Sequence, residues 1–590
     1  MFQKVLVANR GEIAIRVMRT LREMEIASVG VYSEADRETP AVRFADEAFL
    51  LGPAVPTESY LNIERIIETA KKAEAEAIHP GYGFLAENAA FAQACEDADV
   101  VFIGPPAGAI EAMGSKTRAR EIMQEAGVPI VPGAIEPAAD LDAARATAEE
   151  IGYPVACKAA GGGGGKGFRV ARSADELADA FEGASREGEK FFSDPTVYLE
   201  GYLDDPRHVE VQVLADSHDA VIHLGERDCS IQRRHQKLIE EAPAPHVDAE
   251  MRDRIGKIAT DAAAAVGYRG AGTVEGLQAG DDYFFLEMNT RVQVEHCVTE
   301  MVTGIDIVRE QVRIAAGEEL SVKQEDVELR GHAIECRINA EAAHKNFAPA
   351  PGPIESYIEP AGPGVRVDSG LEAGLEVTPL YDPMVAKLIV WDSDRDAATR
   401  RMLRALGEYR IEPLTTLIPF HQAILATDQW AKGETCRDLI EDRDWLKQLK
   451  PEPSSDPAAP GGEAEEAAGS EERTYKVEVD GRLHSVKVIG AAPAASAGAA
   501  GGRRPPKRER QAGGGGGGGA TEDLVSPIQG TVLKVAVEQG QEVEEGALIC
   551  VIEAMKMENE ITAHRAGKIT ELGVSEGGSV ATGDRVARIE

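Results

Sequence analysis

Gly530–Glu553 (GTVLKVAVEQGQEVEEGALICVIE) is repeated as Gly567–Glu590 (GKITELGVSEGGSVATGDRVARIE), an offset of 567 − 530 = 37 residues. Under that offset Gly530, Val532, Val537, Gly540, Val543, Gly546, Ile549, Ile552 and Glu553 fall on Gly567, Ile569, Val574, Gly577, Val580, Gly583, Val586, Ile589 and Glu590. β-Branched runs alternating with period two between glycine turns specify short strands. Two tandem copies therefore predict a pseudo-twofold pair of small sheets. Glu553-Ala554-Met555-Lys556-Met557-Glu558 falls where the first copy turns over toward the second, so Lys556 is expected to project from a tight hairpin. Such a lysine suits the attachment of a carried group; the plainer reading, an ordinary turn lysine, sits poorly with Met-Lys-Met inside a symmetric repeat.

The rest of the chain sets broad limits. With 590 residues there is room for several cores. A formal net charge of −38 disfavours nucleic acid and anionic membranes as general partners. Seven cysteines (Cys95, Cys157, Cys229, Cys297, Cys336, Cys436 and Cys550) include no Cys-x-x-Cys pair, which argues for reduced thiols rather than a disulfide framework or structural zinc. MFQKVLVANRGEIA has no cationic region followed by an apolar core, and no apolar run reaches membrane-spanning length. A cytoplasmic protein is expected.

From Met1 the pattern reads strand (Lys4–Ala8), glycine turn, amphipathic helix through Ile15, Val17, Met18 and Leu21, then strand (Ala27–Tyr32). A helical period over Ile63–Ala77 and a strand end at Ala77-Ile78-His79 extend this to a doubly wound α/β unit. Pro451–Glu472 is too poor in large apolar residues to pack a core and reads as linker. Arg473–Ile489 alternates about Asp480-Gly481, the signature of a hairpin. Gly490–Asp523, with seven consecutive glycines, reads as a tether of about 30 residues spanning roughly 30 Å. Its basic stretch Arg503–Arg510 reads as a solvated linker segment.

Ala160–Gly167 (AGGGGGKG) follows a strand ending in Lys158. Successive glycines let backbone N–H groups approach phosphate, although the P-loop spacing is absent. Lys116 upstream, and Glu275, Glu287 and Asn289 downstream, strengthen a nucleotide reading. Two carboxylates on neighbouring strand-like segments with an amide oxygen suit Mg²⁺ held against phosphates.

His79–Leu85 (HPGYGFL), Pro206–Glu210 (PRHVE), Glu226–Ser230 (ERDCS), Gln232–Lys237 (QRRHQK) and Glu287–Glu295 resemble the biotin carboxylase family of ATP-grasp enzymes over about residues 1–447. The C-terminal repeat separately resembles the biotinyl carrier domain, whose Met-Lys-Met lysine is biotinylated. The resemblance implies a multi-domain chain: an α/β Rossmann-like pre-ATP-grasp domain (1–114), an ATP-grasp α+β domain with a glycine-rich lid (115–330) and a biotin carboxylase C-terminal domain (331–447). A linker (448–523, with a hairpin at 473–489) and an all-β biotinyl/lipoyl-like domain (524–590) follow. It also implies that Lys116, Lys158, Gly164, Gly165, Glu200, Leu203, His208 and His235 surround ATP. Glu275, Glu287 and Asn289 would hold Mg²⁺ or Mn²⁺. Lys237, Arg291, Gln293 and Val294 would form the bicarbonate site, with Glu295 as general base, Arg337 facing biotin, Tyr82 near its ring, and Lys556 as the covalent attachment point. Arg233-Arg234 reads as a solvated face and Cys229 as a small buried hydrophobe.

The implied activity is ATP-dependent carboxylation of biotin on Lys556 from bicarbonate through carboxyphosphate. Carboxybiotin would then be supplied to a separate carboxyltransferase (beta) subunit that uses acetyl-CoA or propionyl-CoA. Pyruvate or another 2-oxo acid is the alternative acceptor, and a carrier and assembly module with a degenerate ATP site is the alternative class. Expected partners are the carboxyltransferase, a biotin protein ligase and further copies in a larger complex. The sequence departs from the family in lacking a sizeable β-rich docking segment and a carrier thumb, and in the small bulk of Val274 and Gly276 beside Glu275.

Overall fold

The computed structural model describes the chain apart from residues 134–135, 160–166, 193, 451–471, 480–481, 490–521, 527–529, 555–556 and 581–582. β1 (Lys4–Val7) is apolar because it is covered on both faces, as a central parallel strand must be. It lies between β2 (Ala27–Ser33) and β4 (Ala77–His79), with β3 (Glu47–Gly52) and β5 (Val101–Phe102) at the edges, in the order β3-β2-β1-β4-β5. α1 (Gly11–Glu23) links β1 to β2 and buries Ile13, Val17 and Leu21 in the same core as Val5 and Val7. α2 (Ile63–Lys72) is shorter than the expected Ile63–Ala77. Its C-cap is Ala73, and Glu74 takes φ of 55°, a left-handed conformation that ends the helix before the β4 strand.

A three-stranded antiparallel sheet, β7 (Phe168–Ala171), β6 (Val155–Ala159) and β8 (Val197–Gly201), follows the helix α3 (Lys116–Glu125). The largest sheet has eight strands. Its order is β13 (Asp282–Asn289), β12 (Gly270–Ala279), β9 (Arg207–Ala215), β10 (Val221–Arg233), β11 (Gln236–Ala242), β14 (His332–Asn339), β16 (Met384–Asp392) and β15 (Val365–Ser369). One sheet therefore runs continuously from the ATP-grasp segment into the C-terminal segment through the β11–β14 pairing. Helices α4 (Ala249–Ala265), α5 (His296–Thr303) and α6 (Arg395–Glu408) pack on it. Among the described residues all seven cysteines are buried free thiols, and no helix is long and apolar enough to cross a membrane.

β17 (Glu472–Val479) and β18 (Arg482–Ile489) form the expected antiparallel hairpin, with Asp480-Gly481 outside the described residues. The repeat forms two four-stranded sheets. One is β19 (Asp523–Val525), β26 (Arg585–Ile589), β24 (Gly567–Leu572) and β21 (Glu542–Val543). The other is β23 (Met557–Thr562), β22 (Leu548–Ala554), β20 (Gly530–Val535) and β25 (Ser579–Val580). The starts of β20, β21 and β22 fall 37 residues before those of β24, β25 and β26, as the offset requires. Ile549, Ile552, Val586 and Ile589, equivalent pairs of the repeat, meet in one core.

Candidate active site

Alternation along β9 decides which face of the large sheet carries chemistry. Val209, Val211 and Val213 enter the core beneath α4, so His208, Glu210 and Gln212 occupy the opposite face, where all three are buried. β12 continues the pattern: Val274 joins that core, while Thr273 and Glu275 share the face of Glu210, which stands opposite Glu275 in register. On β13, Tyr283 and Phe285 lie in the core, and strict alternation would send Glu287 and Asn289 after them. A register shift between the pairs Gly276↔Phe285 and Glu275↔Glu287 inserts Leu286 as an extra residue and turns the following side chains to the site. The small residue at 276 now has a reason. A Cβ there would lie 2.2 Å from Cζ of Tyr283, whose buried ring crosses that position.

The side chains on this face form one ionic network. Lys237 Nζ donates to Glu295 Oε1 at 2.6 Å, to Glu275 Oε1 at 2.9 Å and to Glu210 Oε2 at 2.5 Å. Burial by itself would lower the Lys237 pKa, but Glu210, Glu295 and Glu275 outweigh it and hold it well above the ordinary value. Burial likewise opposes ionisation of Glu295, and Lys237 with Arg337 and Arg227 reverses that, keeping it below the usual carboxylate range. Arg337 Nη2 reaches Glu295 Oε2 at 2.9 Å, so both Glu295 oxygens accept from cations. Glu295 is also the N-cap residue of α5, where the helix dipole favours a negative charge. His208 Nε2 stands 3.0 Å from Glu275 Oε2; burial disfavours its charge, yet Glu275 and Glu210 raise its pKa to about 9.

Three further groups orient this set. Arg227, fully buried, bonds Glu210 Oε1, Gln212 Oε1, Thr299 Oγ1, Thr273 Oγ1 and Gln293 Oε1 at 2.6 to 3.1 Å, one acceptor for each of its N–H groups. Gln293 Nε2 in turn donates to Glu275 Oε1 at 2.6 Å. Arg291 Nε donates to Glu87 Oε2 and its Nη2 to Asn289 Oδ1, each at 2.9 Å. Arg337 Nε donates to Glu240 Oε1 at 2.6 Å. Burial raises the Glu240 pKa to about 7 against the lowering effect of Arg337, and the nearby Glu295 carboxylate adds to the rise. Lys387, with no exposed surface, donates to the Val294 carbonyl at 2.9 Å and so braces the backbone next to Glu295.

The expected residues thus divide into groups. Lys237, Glu275, Asn289, Arg291, Gln293, Glu295, Arg337 and His208 form the network, with Val294 in its backbone and Glu287 directly opposite Glu275. Lys158 on β6 and Glu200 on β8 pair with each other on the three-stranded sheet. Leu203 is half-buried just beyond β8, and His235 is exposed in the turn between β10 and β11. Tyr82 is half-buried, its ring centroid 5.8 Å from Lys387 Nζ. Lys116 opens α3, but its side chain, together with Gly164, Gly165 and Lys556, lies outside the described residues. Glu87, Glu210, Arg227, Glu240 and Lys387 were missed by sequence reasoning. Period-two alternation from His208 could have found Glu210. Nothing local points to Glu87, which reaches Arg291 across 291 − 87 = 204 residues.

The carboxylates fit a divalent cation. Glu275 and Glu287 face each other across paired strands and offer hard oxygen donors, and Glu275, with His208 and Glu210, belongs to a buried cluster whose ligand atoms lie within 4.8 Å. Cations around Glu275 hold it below the ordinary range despite its burial, the ionised state a metal ligand needs.

Family models described as biotin carboxylase N-terminal domain, carbamoyl-phosphate synthase L chain ATP binding domain, biotin carboxylase C-terminal domain and biotin-requiring enzyme match residues 1–110, 115–323, 335–442 and 522–589. The chain is 46% identical over 596 aligned residues, covering 100% of it and 98% of the relative, to a biotin-dependent acyl-coenzyme A carboxylase alpha3 subunit of Mycobacterium leprae. It is 54% identical over 442 residues to a pyruvate carboxylase subunit of Methanothermobacter thermautotrophicus, covering 75% of this chain and 90% of that one. The biotin carboxylase domain of Hydrogenobacter thermophilus 2-oxoglutarate carboxylase, solved with MgADP, ADP and bicarbonate, superposes with a TM-score of 0.68 at 48% identity, over 76% of this chain and 99% of that one. The buried network on the eight-stranded sheet and these matches together make the chain a member of the biotin carboxylase family of ATP-dependent ligases, with a biotin-requiring carrier domain in the same polypeptide.

Proposed function

We propose that this chain carboxylates biotin borne on its own Lys556, using ATP and bicarbonate, and passes the carboxyl group to a separate carboxyltransferase that acts on acetyl-CoA or propionyl-CoA. The observation that carries the carboxylation step is the contact of Lys237 and Arg337 with the two oxygens of Glu295. A carboxylate held below its ordinary pKa by these cations is ionised but weakly basic. Bicarbonate bound against Lys237 and Arg291 draws those cations toward itself, and Glu295 becomes basic enough to take the bicarbonate proton as its oxygen attacks the γ-phosphate. The bond from the γ-phosphorus to the ADP oxygen breaks, and carboxyphosphate and ADP result. Lys116, Lys158, Glu200, Leu203, His208 and His235 would surround ATP with Gly164 and Gly165, and Glu275, Glu287 and Asn289 would hold Mg²⁺, which would neutralise phosphate charge. Gln293 and Val294 complete the bicarbonate site. Cleavage of the carboxyphosphate C–O bond would release CO₂ and phosphate, the phosphate would take the ureido N–H proton of bound biotin, and the freed nitrogen would form the new bond to CO₂. Arg337 would hold the developing negative oxygen, with Glu240 fixing its guanidinium, and Tyr82 would pack near the biotin ring.

The acyl-CoA acceptor is favoured by the relative that matches from end to end, the Mycobacterium leprae acyl-coenzyme A carboxylase protein. A second reading, a 2-oxo acid acceptor, is favoured by the higher identity of the carboxylase part to the Methanothermobacter thermautotrophicus pyruvate carboxylase protein. The biotinylated chain should take up label from [¹⁴C]bicarbonate with ATP, and Lys556→Arg should not. Transfer of that label by a crotonase-like carboxyltransferase to propionyl-CoA or acetyl-CoA supports the first acceptor. Transfer by a metal-dependent barrel carboxyltransferase to pyruvate replaces it with the second.

A further inference from the structure

Arg233 and Arg234, which read as a solvated face in the sequence, do not stand alone. They sit at the turn between β10 and β11, and Arg443, 443 − 234 = 209 residues later, opens the short helix α7 (Arg443–Lys447) that comes close to them. The Arg233 guanidinium, 4.8 Å from the Phe347 ring centroid, has its pKa lowered to about 10 by burial and then by Arg234, with Arg443 acting in the same direction. Arg234 and His235 both adopt left-handed backbone, with φ of 48° and 67°, a form disfavoured for residues with a Cβ. Two like charges thus sit at the strained turn of the hairpin that carries Lys237 into the site, with Arg443 of α7 beside them as a third.

The carrier domain supplies the counter-charge. Glu560 on β23 places Oε1 3.9 Å from Arg234 Nη2 and Oε2 3.5 Å from Arg443 Nη2. It lies 560 − 556 = 4 residues beyond Lys556, on the strand that leaves the lysine hairpin. Residues 524–590 contain eleven Asp and Glu against six Lys and Arg, a net charge of 6 − 11 = −5. An acidic carrier therefore meets a basic patch at the tip of the catalytic hairpin.

We propose that Arg234 and Arg443 form the docking face by which the carboxylase part receives its own carrier domain, with Glu560 as the carrier's anchoring contact beside the Lys556 hairpin. The inference rests on the reading that Lys556-linked biotin is the group carboxylated. Its charges are exposed, so their effect is on encounter and orientation and is screened by salt.

The test uses the full biotinylated chain and two readouts: ATP-dependent incorporation of [¹⁴C]bicarbonate onto the carrier at low salt, and ATP turnover stimulated by free biotin. Glu560→Arg should slow carrier labelling about tenfold, and Arg443→Glu likewise, while free-biotin turnover stays within about twofold. The combined Glu560→Arg/Arg443→Glu chain should recover most of the labelling rate, because the pair is restored with its signs exchanged. An avidin blot checks that the altered carrier still folds and is biotinylated; if Glu560→Arg is not, Arg443→Glu decides by itself. Labelling unchanged in the single variants, or lost equally in the combined one, overturns the docking face. A wild-type chain that turns over ATP with free biotin but never labels Lys556 overturns the reading beneath it instead.

Discussion

Lys237 and Glu295 meet at 2.6 Å, ammonium against carboxylate, on the buried face of the eight-stranded sheet. Glu210 and Glu275 share the same ammonium, so one lysine ties together three buried carboxylates, each of which also faces a second cationic group: Arg227, His208 and Arg337 respectively for Glu210, Glu275 and Glu295. Lys237→Met removes the cation common to all three, and bicarbonate-dependent ATP turnover should fall by about 10²- to 10³-fold. A coupled ADP assay at several bicarbonate concentrations measures it; turnover within about threefold of wild type would remove Lys237 from the proposed bicarbonate site.

Arg227 spends its N–H groups on five acceptors from four parts of the chain, including the Gln293 amide that orients on Glu275. Lysine retains the charge but has three donors, so Arg227→Lys leaves at least two buried acceptors unpaired. Bicarbonate KM should rise about tenfold with a smaller change in kcat, and stability should fall by about 2 to 4 kcal/mol. Steady-state kinetics and urea unfolding separate the two effects.

Glu300 joins three parts of the chain, accepting from Arg16 of α1 and from Arg366 of β15 at 2.7 Å each. Burial opposes its ionisation, and Arg16, His296 and Arg366 overcome that, lowering its pKa from about 4.5 to about 2. A depressed carboxylate contributes stability that is present above its unfolded pKa and lost as pH falls through the folded one. The difference in unfolding free energy from urea titration between wild type and Glu300→Gln, on the order of 3 kcal/mol near neutrality, should therefore hold above about pH 5 and shrink steadily as pH falls toward 2. A difference independent of pH across that window would contradict the assignment.

Gly276→Ala places a Cβ 2.2 Å from Tyr283 Cζ, and this ring, buried and hydrogen-bonded through its hydroxyl to the Val209 carbonyl, has little room to retreat. A loss of about 1 to 3 kcal/mol is expected by thermal unfolding, with most of it recovered in Gly276→Ala/Tyr283→Leu. Because Glu275 precedes Gly276 on the same strand, the single variant should also weaken Mg²⁺ dependence of ATP turnover.

The sequence is most informative where chemistry is local. The period-two strands of the repeat, the parallel β1 and β2, and the motifs holding Lys237, Glu275, Glu295 and Arg337 were all legible, because alternation and motif spacing are short-range. The end of α2 was overrun, since apolar spacing continues past Lys72 while the left-handed Glu74 breaks the helix.

Within the repeat, the sequence by itself determined that there would be two equivalent sets of strands. It did not determine that β21 would join the sheet of β24 and β26, or β25 that of β20 and β22, because two-residue strands carry no pairing preference of their own. In the active site the residue types were written in the motifs, but tertiary structure alone decided their convergence. The Leu286 bulge turns Glu287 and Asn289 out of the core, and Glu87 arrives at Arg291 from the turn that follows β4. Local alternation sets which neighbours share a side of an unbroken strand; bulges, register and long-range approach are set by packing, which no short stretch of chain contains.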